Sequence, residues 1–156
     1  FNSGYNLRPT EVSAAIGHNQ FKRMNNLIKM RNFNRNLIIK AICKHEKLKD
    51  KISFYEASKN VTPSWFGLPI KISTDTKQNK RLIIKKLEQN GIETRPIISG
   101  NFAEQPGAIK YKLVKKQKFL NTDTVYKNSF FIGLPTKKIN NRFLKKIISS
   151  FEKSFK

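Results

Sequence analysis

Two periods of apolar and polar residues run along this chain. Val12, Ala15 and Ile16, then Phe21 and Met24, recur at helical spacing behind Pro9 and Thr10, which open and cap a helix, with Glu11 suited to its positive end. Gly17 beside Ala14 and Ala15 implies close helix contact. Leu27, Ile28, Phe33, Leu37, Ile38 and Ile42 continue in steps of mostly three to five, with Lys and Arg between them. The spacing predicts one long amphipathic helix, or a slightly broken pair, ending near Lys44. Polar residues from Lys47 to Asn60 predict an irregular connection. The aromatic and β-branched run Trp65–Ile72 predicts a strand, placed at an edge or locally bulged because Pro69 has no N–H. Leu82, Ile83 and Leu87 predict a helix over 77–90, capped by Asp75 or Thr76 and stopped by Asn90-Gly91. Strands are expected at Glu93–Ile98 and Phe130–Leu134, a loop at Ser99–Pro106, and a helical or irregular stretch at Lys110–Leu120. Asn140 caps a last helix with Phe143, Leu144, Ile147, Ile148 and Phe151 on one face. The fold class is α/β: residues 1–60 form a loop and long helices, and residues 61–156 a small β-α-β-β-α subdomain.

Composition narrows the chemistry. The chain has 156 residues, long enough to bury a core without covalent staples. It carries 32 Lys and Arg against 10 Asp and Glu, a formal charge of +22. Those cations are spread along the whole length among many Lys, Asn, Ile and Phe, the bias of an A- and T-rich coding sequence. No RNP pattern, zinc finger or clear helix-turn-helix accompanies them. A nucleic-acid-binding module is therefore the reading from another class, ranked below solvated lysine faces. A basic surface still favours an anionic small substrate. Cys43 stands alone and reads as a structural thiol; His18 and His45 are too isolated for a metal cage, and His45 at a helix end offsets the dipole. No apolar run reaches about 18 residues, so no membrane span is expected. With Phe1 first and no leader pattern, the chain reads as a piece of a longer cytoplasmic protein.

Two loops carry functional groups. Gly4-Tyr5-Asn6-Leu7-Arg8 brings an amide, a phenol and a guanidinium to a helix entry, where backbone N–H groups favour anions. Glu93-Thr94-Arg95-Pro96 leads through Ile97 and Ile98 into the turn Ser99-Gly100-Asn101-Phe102. On residue chemistry alone, a helix-entry loop and a strand with a surface Arg explain both. In order, however, Gly4-Tyr5-Asn6-Leu7-Arg8-Pro9-Thr10-Glu11 with Ala14-Ala15-Ile16-Gly17 and Gln20, Ser64-Trp65-Phe66-Gly67-Leu68-Pro69, Asn90-Gly91-Ile92-Glu93-Thr94-Arg95-Pro96 and Phe130-Phe131-Ile132-Gly133-Leu134-Pro135 resemble the signature segments of the DegT/DnrJ/StrS-type sugar aminotransferases.

That resemblance covers nearly the whole chain. It implies the C-terminal part of a type I pyridoxal-phosphate-dependent transferase fold and a homodimer acting on keto-sugars carried by nucleoside diphosphates in lipopolysaccharide or O-antigen synthesis. The cofactor, pyridoxal phosphate or its pyridoxamine form, would be held mostly by a large domain upstream. That domain would also supply the Schiff-base lysine, so no catalytic residue is assigned here and the chain alone is expected to be inactive. By the same resemblance Asn6 and Tyr5 would touch the cofactor, Arg8 and Arg95 the substrate, and Asn101 and Phe102 would shape its pocket. Ile97–Phe102 with Gln105-Pro106 further resembles a subgroup that includes nucleotide-sugar 3-dehydratases, in which histidine replaces the upstream lysine. Gly133-Leu134-Pro135 stands where several of that subgroup carry Gly-Asn-His, so transamination is the leading reading and 3-dehydration the alternative. A piece of such an enzyme should leave Val12, Ile16 and Phe21 uncovered.

Overall fold

The computed structural model describes residues 10–76, 79–112 and 118–156. Helix α1 is a single 33-residue element, Glu11–Cys43, rather than a broken pair. Thr10 caps it as expected, its side chain accepting from the Ser13 N–H at 3.3 Å. Among the described residues, only the C-terminal half of α1 meets the rest of the fold, through Ile38 and Ile42 in the core. The first half projects, and Val12, Ile16 and Phe21 are 70%, 59% and 68% exposed. The close contact expected at Gly17 is not made among the described residues, where a Cβ would meet nothing within 4 Å. The thiol of Cys43, at the end of the helix, is exposed.

Among the described residues four strands follow: β1 Ile52–Phe54, β2 Gly67–Ile72, β3 Thr94–Pro96 and β4 Ser129–Gly133. They form one antiparallel sheet in the order β1-β2-β4-β3. β1 lies inside the stretch expected to be irregular; its alternation of Ile, Ser and Phe is too short to stand out. The boundary expected near residue 60 falls between β1 and β2. Ile38, Ile42 and Leu48, from before it, share the core with Leu68, Ile70 and Phe130 from after it.

Pro69 was expected to force an edge or a bulge. Instead β2 sits between β1 and β4, paired without a bulge from Gly67↔Gly133 to Lys71↔Ser129. The Leu134 N–H points to the Phe66 carbonyl, so the alternation makes Pro69↔Phe131 a non-hydrogen-bonded pair. The missing N–H of Pro69 therefore faces the other side, where β1 ends at Phe54, opposite Ile70. No ladder bond is lost.

The remaining helices are α2 Lys80–Gln89, α3 Pro106–Lys110, α4 Leu120–Asn128 and α5 Asn141–Ser154. Asn79, not Asp75 or Thr76, caps α2 by accepting from the Arg81 N–H at 2.8 Å. Asn140 caps α5, accepting from the Phe143 N–H at 2.8 Å. α2 and α5 lie side by side and bury Ile83, Leu87, Ile147 and Phe151, while Phe143 stays 48% exposed. Residues 113–117, within the expected Lys110–Leu120 stretch, are outside the described set. α4 contacts β2 and β4 where no helix was expected.

Candidate functional site

Of the residues expected to bind cofactor or substrate, Tyr5, Asn6 and Arg8 lie outside the described residues; Arg95, Asn101 and Phe102 are described. Thr94 of β3 is buried and its hydroxyl donates to Glu88 Oε1 at 2.8 Å. Strand alternation then turns Arg95 outward. Its side chain is 65% exposed and pairs with Glu93, which is 75% exposed. A pair so open contributes about 0–1 kcal/mol. A phosphate or carboxylate that engages the planar guanidinium with two oxygens competes with it favourably.

Arg95 lines a cavity of about 570 Å³ together with Arg31, Phe66, Phe131, Pro135 and Phe143. The Phe66 and Phe131 rings meet at a tilt, 5.9 Å between centres. Arg31 was not singled out from the sequence. One of its terminal nitrogens donates to Ser64 Oγ at 3.3 Å, and its buried Nε finds no partner among the described residues. Three residues on along α1, Asn34 is fully buried. Its Nδ2 donates to the Pro135 and Lys137 carbonyls, each at 2.8 Å, and its Oδ1 accepts from the Ile139 N–H at 3.0 Å. One side chain thus fastens the helix that carries Arg31 to the loop that carries Pro135. The neighbouring Arg35 is also buried: it donates to the Tyr55 carbonyl at 2.7 Å and lies 4.3 Å from the Trp65 ring centre.

Asn101 and Phe102 are not brought to this cavity. β3 runs from Thr94 opposite Ile132 to Pro96 opposite Phe130, so Gly91, which precedes β3, and Gly133–Pro135, which close β4 and follow it, lie toward the same end of the sheet, and the cavity sits there. Continuing past Pro96, the chain leaves that end of the sheet. Asn101 is 4% exposed and its polar atoms are spent inside the chain: Oδ1 accepts from the Ala103 N–H at 3.0 Å and Nδ2 donates to Asp123. It starts a 3₁₀ turn, Phe102–Glu104, from which the Phe102 side chain stands 54% exposed.

Two further charged sites, at Lys80 and at the Lys47–Glu152 pair, are tied up structurally. Burial holds the Lys80 ammonium below the usual lysine range. It donates to the Tyr126 and Ser129 carbonyls, joining α2 to the junction of α4 and β4. Beside the end of α1, Lys47 donates to Glu152 at 2.7 Å, which holds that carboxyl below its ordinary range and raises the lysine. His45, expected to offset the α1 dipole, has Nε2 3.8 Å from the same carboxylate. Among the described residues, no group of three His, Cys, Asp or Glu side chains is placed to hold a metal, and no helix is long and apolar enough to cross a membrane.

The chain is similar over 97% of its length to the lipopolysaccharide biosynthesis protein RfbH of Salmonella typhimurium, at 29% identity, and spans 34% of that protein. It is 31% identical to the GDP-4-keto-6-deoxy-D-mannose 3-dehydratase of Escherichia coli O55:H7, over 83% of this chain and 32% of that one. It therefore spans about a third of the length of the curated relatives it matches. The structure of an E. coli GDP-4-keto-6-deoxy-D-mannose-3-dehydratase with bound hydrated PLP superimposes with a TM-score of 0.79 at 27% identity, covering 98% of this chain and 37% of that one. A model of the DegT/DnrJ/EryC1/StrS aminotransferase family matches residues 2–152, and the chain belongs to that family.

Proposed function

We propose that this chain is the C-terminal part of a pyridoxal-phosphate-dependent enzyme that converts a keto-sugar nucleotide during cell-surface polysaccharide synthesis. The carrying observation is similarity to GDP-sugar 3-dehydratases, over 83% of the chain in sequence and over 98% of it in the fold of one whose structure holds that cofactor. The whole enzyme works as a homodimer, with Tyr5 and Asn6 toward the cofactor and Arg8 toward the substrate. The described residues do not make a cofactor cradle by themselves. The one lysine among them with a clearly lowered pKa, Lys80, is committed to two backbone carbonyls. No chemical step is assigned to it. What these residues do offer is anion recognition: an open guanidinium at Arg95, releasable from Glu93.

The reaction is 3-dehydration or transamination of the sugar. Gly133-Leu134-Pro135 motivated transamination; the relatives named as 3-dehydratases at 31% and 32% identity favour dehydration, and we adopt it. The test uses the full-length enzyme loaded with pyridoxal phosphate, given L-glutamate and GDP-4-keto-6-deoxymannose, with the sugar product followed by mass spectrometry. A 3-deoxy-keto product is expected. A stable 4-amino sugar makes the enzyme an aminotransferase. No conversion of GDP-, CDP- or dTDP-linked keto-sugars overturns the proposal.

A further inference from the structure

We propose that Asp123, on α4, is a positioning residue that holds the turn Ile98–Phe102 in the shape that meets substrate. This rests on the proposed keto-sugar-nucleotide function and on the expectation from the family resemblance that Asn101 and Phe102 shape its pocket. The turn is held in a backbone form that its own sequence disfavours. Ile98 has φ +41°, a genuine outlier for a β-branched residue, yet its side chain is 89% exposed. It gains no burial that would repay the strain. Gly100 follows at φ +61°. Strain of this kind persists only where the surroundings over-determine it, and it gathers at ligand-binding segments.

Here the restraint comes from beneath. The Asp123 carboxylate accepts from Asn101 Nδ2, and the Tyr126 ring, one turn along α4, lies flush against the Gly100 backbone. Gln105 Nε2 donates to the Ser99 carbonyl at 2.7 Å, and the Gly100 N–H to the Ile97 carbonyl at 2.7 Å. The Asn101 amide has one workable orientation: the Ala103 N–H needs an acceptor and the Asp123 carboxylate needs a donor. Asp123 thereby fixes Asn101, which fixes the turn, which leaves Ile98 and Phe102 exposed at its surface. The signal is invisible locally, since 22 residues separate the two partners.

The pair can be reversed, which makes the proposal testable in the full-length, cofactor-loaded enzyme. In Asn101→Asp two carboxylates face each other and the bond is lost. Adding Asp123→Asn restores it with donor and acceptor exchanged, while the introduced carboxylate still accepts from the Ala103 N–H. The single variant should raise the KM for the sugar nucleotide by ~10- to 100-fold, with kcat changed far less, as loss of a hydrogen bond to a charged group implies. The exchanged pair should return KM to within about threefold of the parent. Hydrogen exchange across Ile97–Gln105 should rise in the single variant and fall back in the pair. Should Asn101→Asp not fold, Asp123→Ala removes the same acceptor. Unchanged exchange in the single variant, or no recovery in the pair, overturns the positioning role. Exchange that responds and recovers while KM stays fixed overturns the substrate-facing reading of the turn instead.

Discussion

Gly100→Ala tests the tightest approach to a glycine among the described residues. A Cβ there would lie 2.0 Å from Tyr126 Cδ2, 2.7 Å from Cε2 and 3.0 Å from Cγ. Atoms cannot share that space, so the ring or the turn must move. Retreat of the ring is limited: it is 41% exposed, but Lys80 stands 5.6 Å from its centre and donates to the Tyr126 carbonyl. Overpacking of this kind costs about 1–3 kcal/mol. The positive φ adds about 1–2 kcal/mol for any residue with a Cβ. Together they predict a loss of about 2–5 kcal/mol. Urea unfolding of the full chain, followed by circular dichroism, reads this as a lower midpoint at unchanged slope. Gly107→Ala is the control: it lies in α3, a Cβ there meets nothing within 4 Å, and it should be neutral or stabilise by up to about 1 kcal/mol. A cycle with Tyr126→Ala should recover the overpacking part, about 1–3 kcal/mol, and leave the φ part. A Gly100→Ala chain as stable as the parent, or a cycle with no coupling, refutes the reasoning.

Asn34→Ala strips partners from two carbonyls and one buried N–H and should cost about 2–4 kcal/mol in the same assay; a loss under about 0.5 kcal/mol would show that water replaces it. Glu152 has a lowered carboxyl pKa in the folded chain, so its contribution is present above the ordinary carboxylate range and is lost as pH falls through the lowered value. Glu152→Gln should accordingly flatten the acid side of the stability profile below about pH 4.5, and an unchanged slope there counts against the Lys47 contact. In the full-length enzyme, Asn6→Ala should weaken cofactor retention by ~10- to 100-fold, read as absorbance after dialysis. Arg95→Ala should instead raise the substrate KM more than it loosens cofactor, and the reverse pattern would exchange the two assignments.

Helices α1, α2 and α5 were legible because each shows its period over ten residues or more. β1 and α4 were not. Ile52-Ser53-Phe54 is too short for alternation to register, and Leu120–Asn128 is a run of Asn, Thr and Asp with little apolar stripe. What holds α4 is its contact with the sheet, which no local window contains. Pro69 misled for a related reason: whether a proline breaks a strand depends on where the neighbouring strand stops, and β1 stops at Phe54.

The same division by sequence distance runs through the candidate site. Arg95 could be singled out because Glu93-Thr94-Arg95-Pro96 is a contiguous motif, and the structure leaves its guanidinium open. Asn34 could not: it is one of many asparagines on α1, and its partners lie 101 to 105 residues away. Asn101 was singled out to shape a substrate pocket. In the structure its amide bonds the Ala103 N–H and the Asp123 carboxylate. A polar side chain in a motif can thus be committed to the shape of a turn. The groups packed against that turn, Asp123 and Tyr126, carry no motif of their own; they come from α4, which the local pattern did not reveal as a helix.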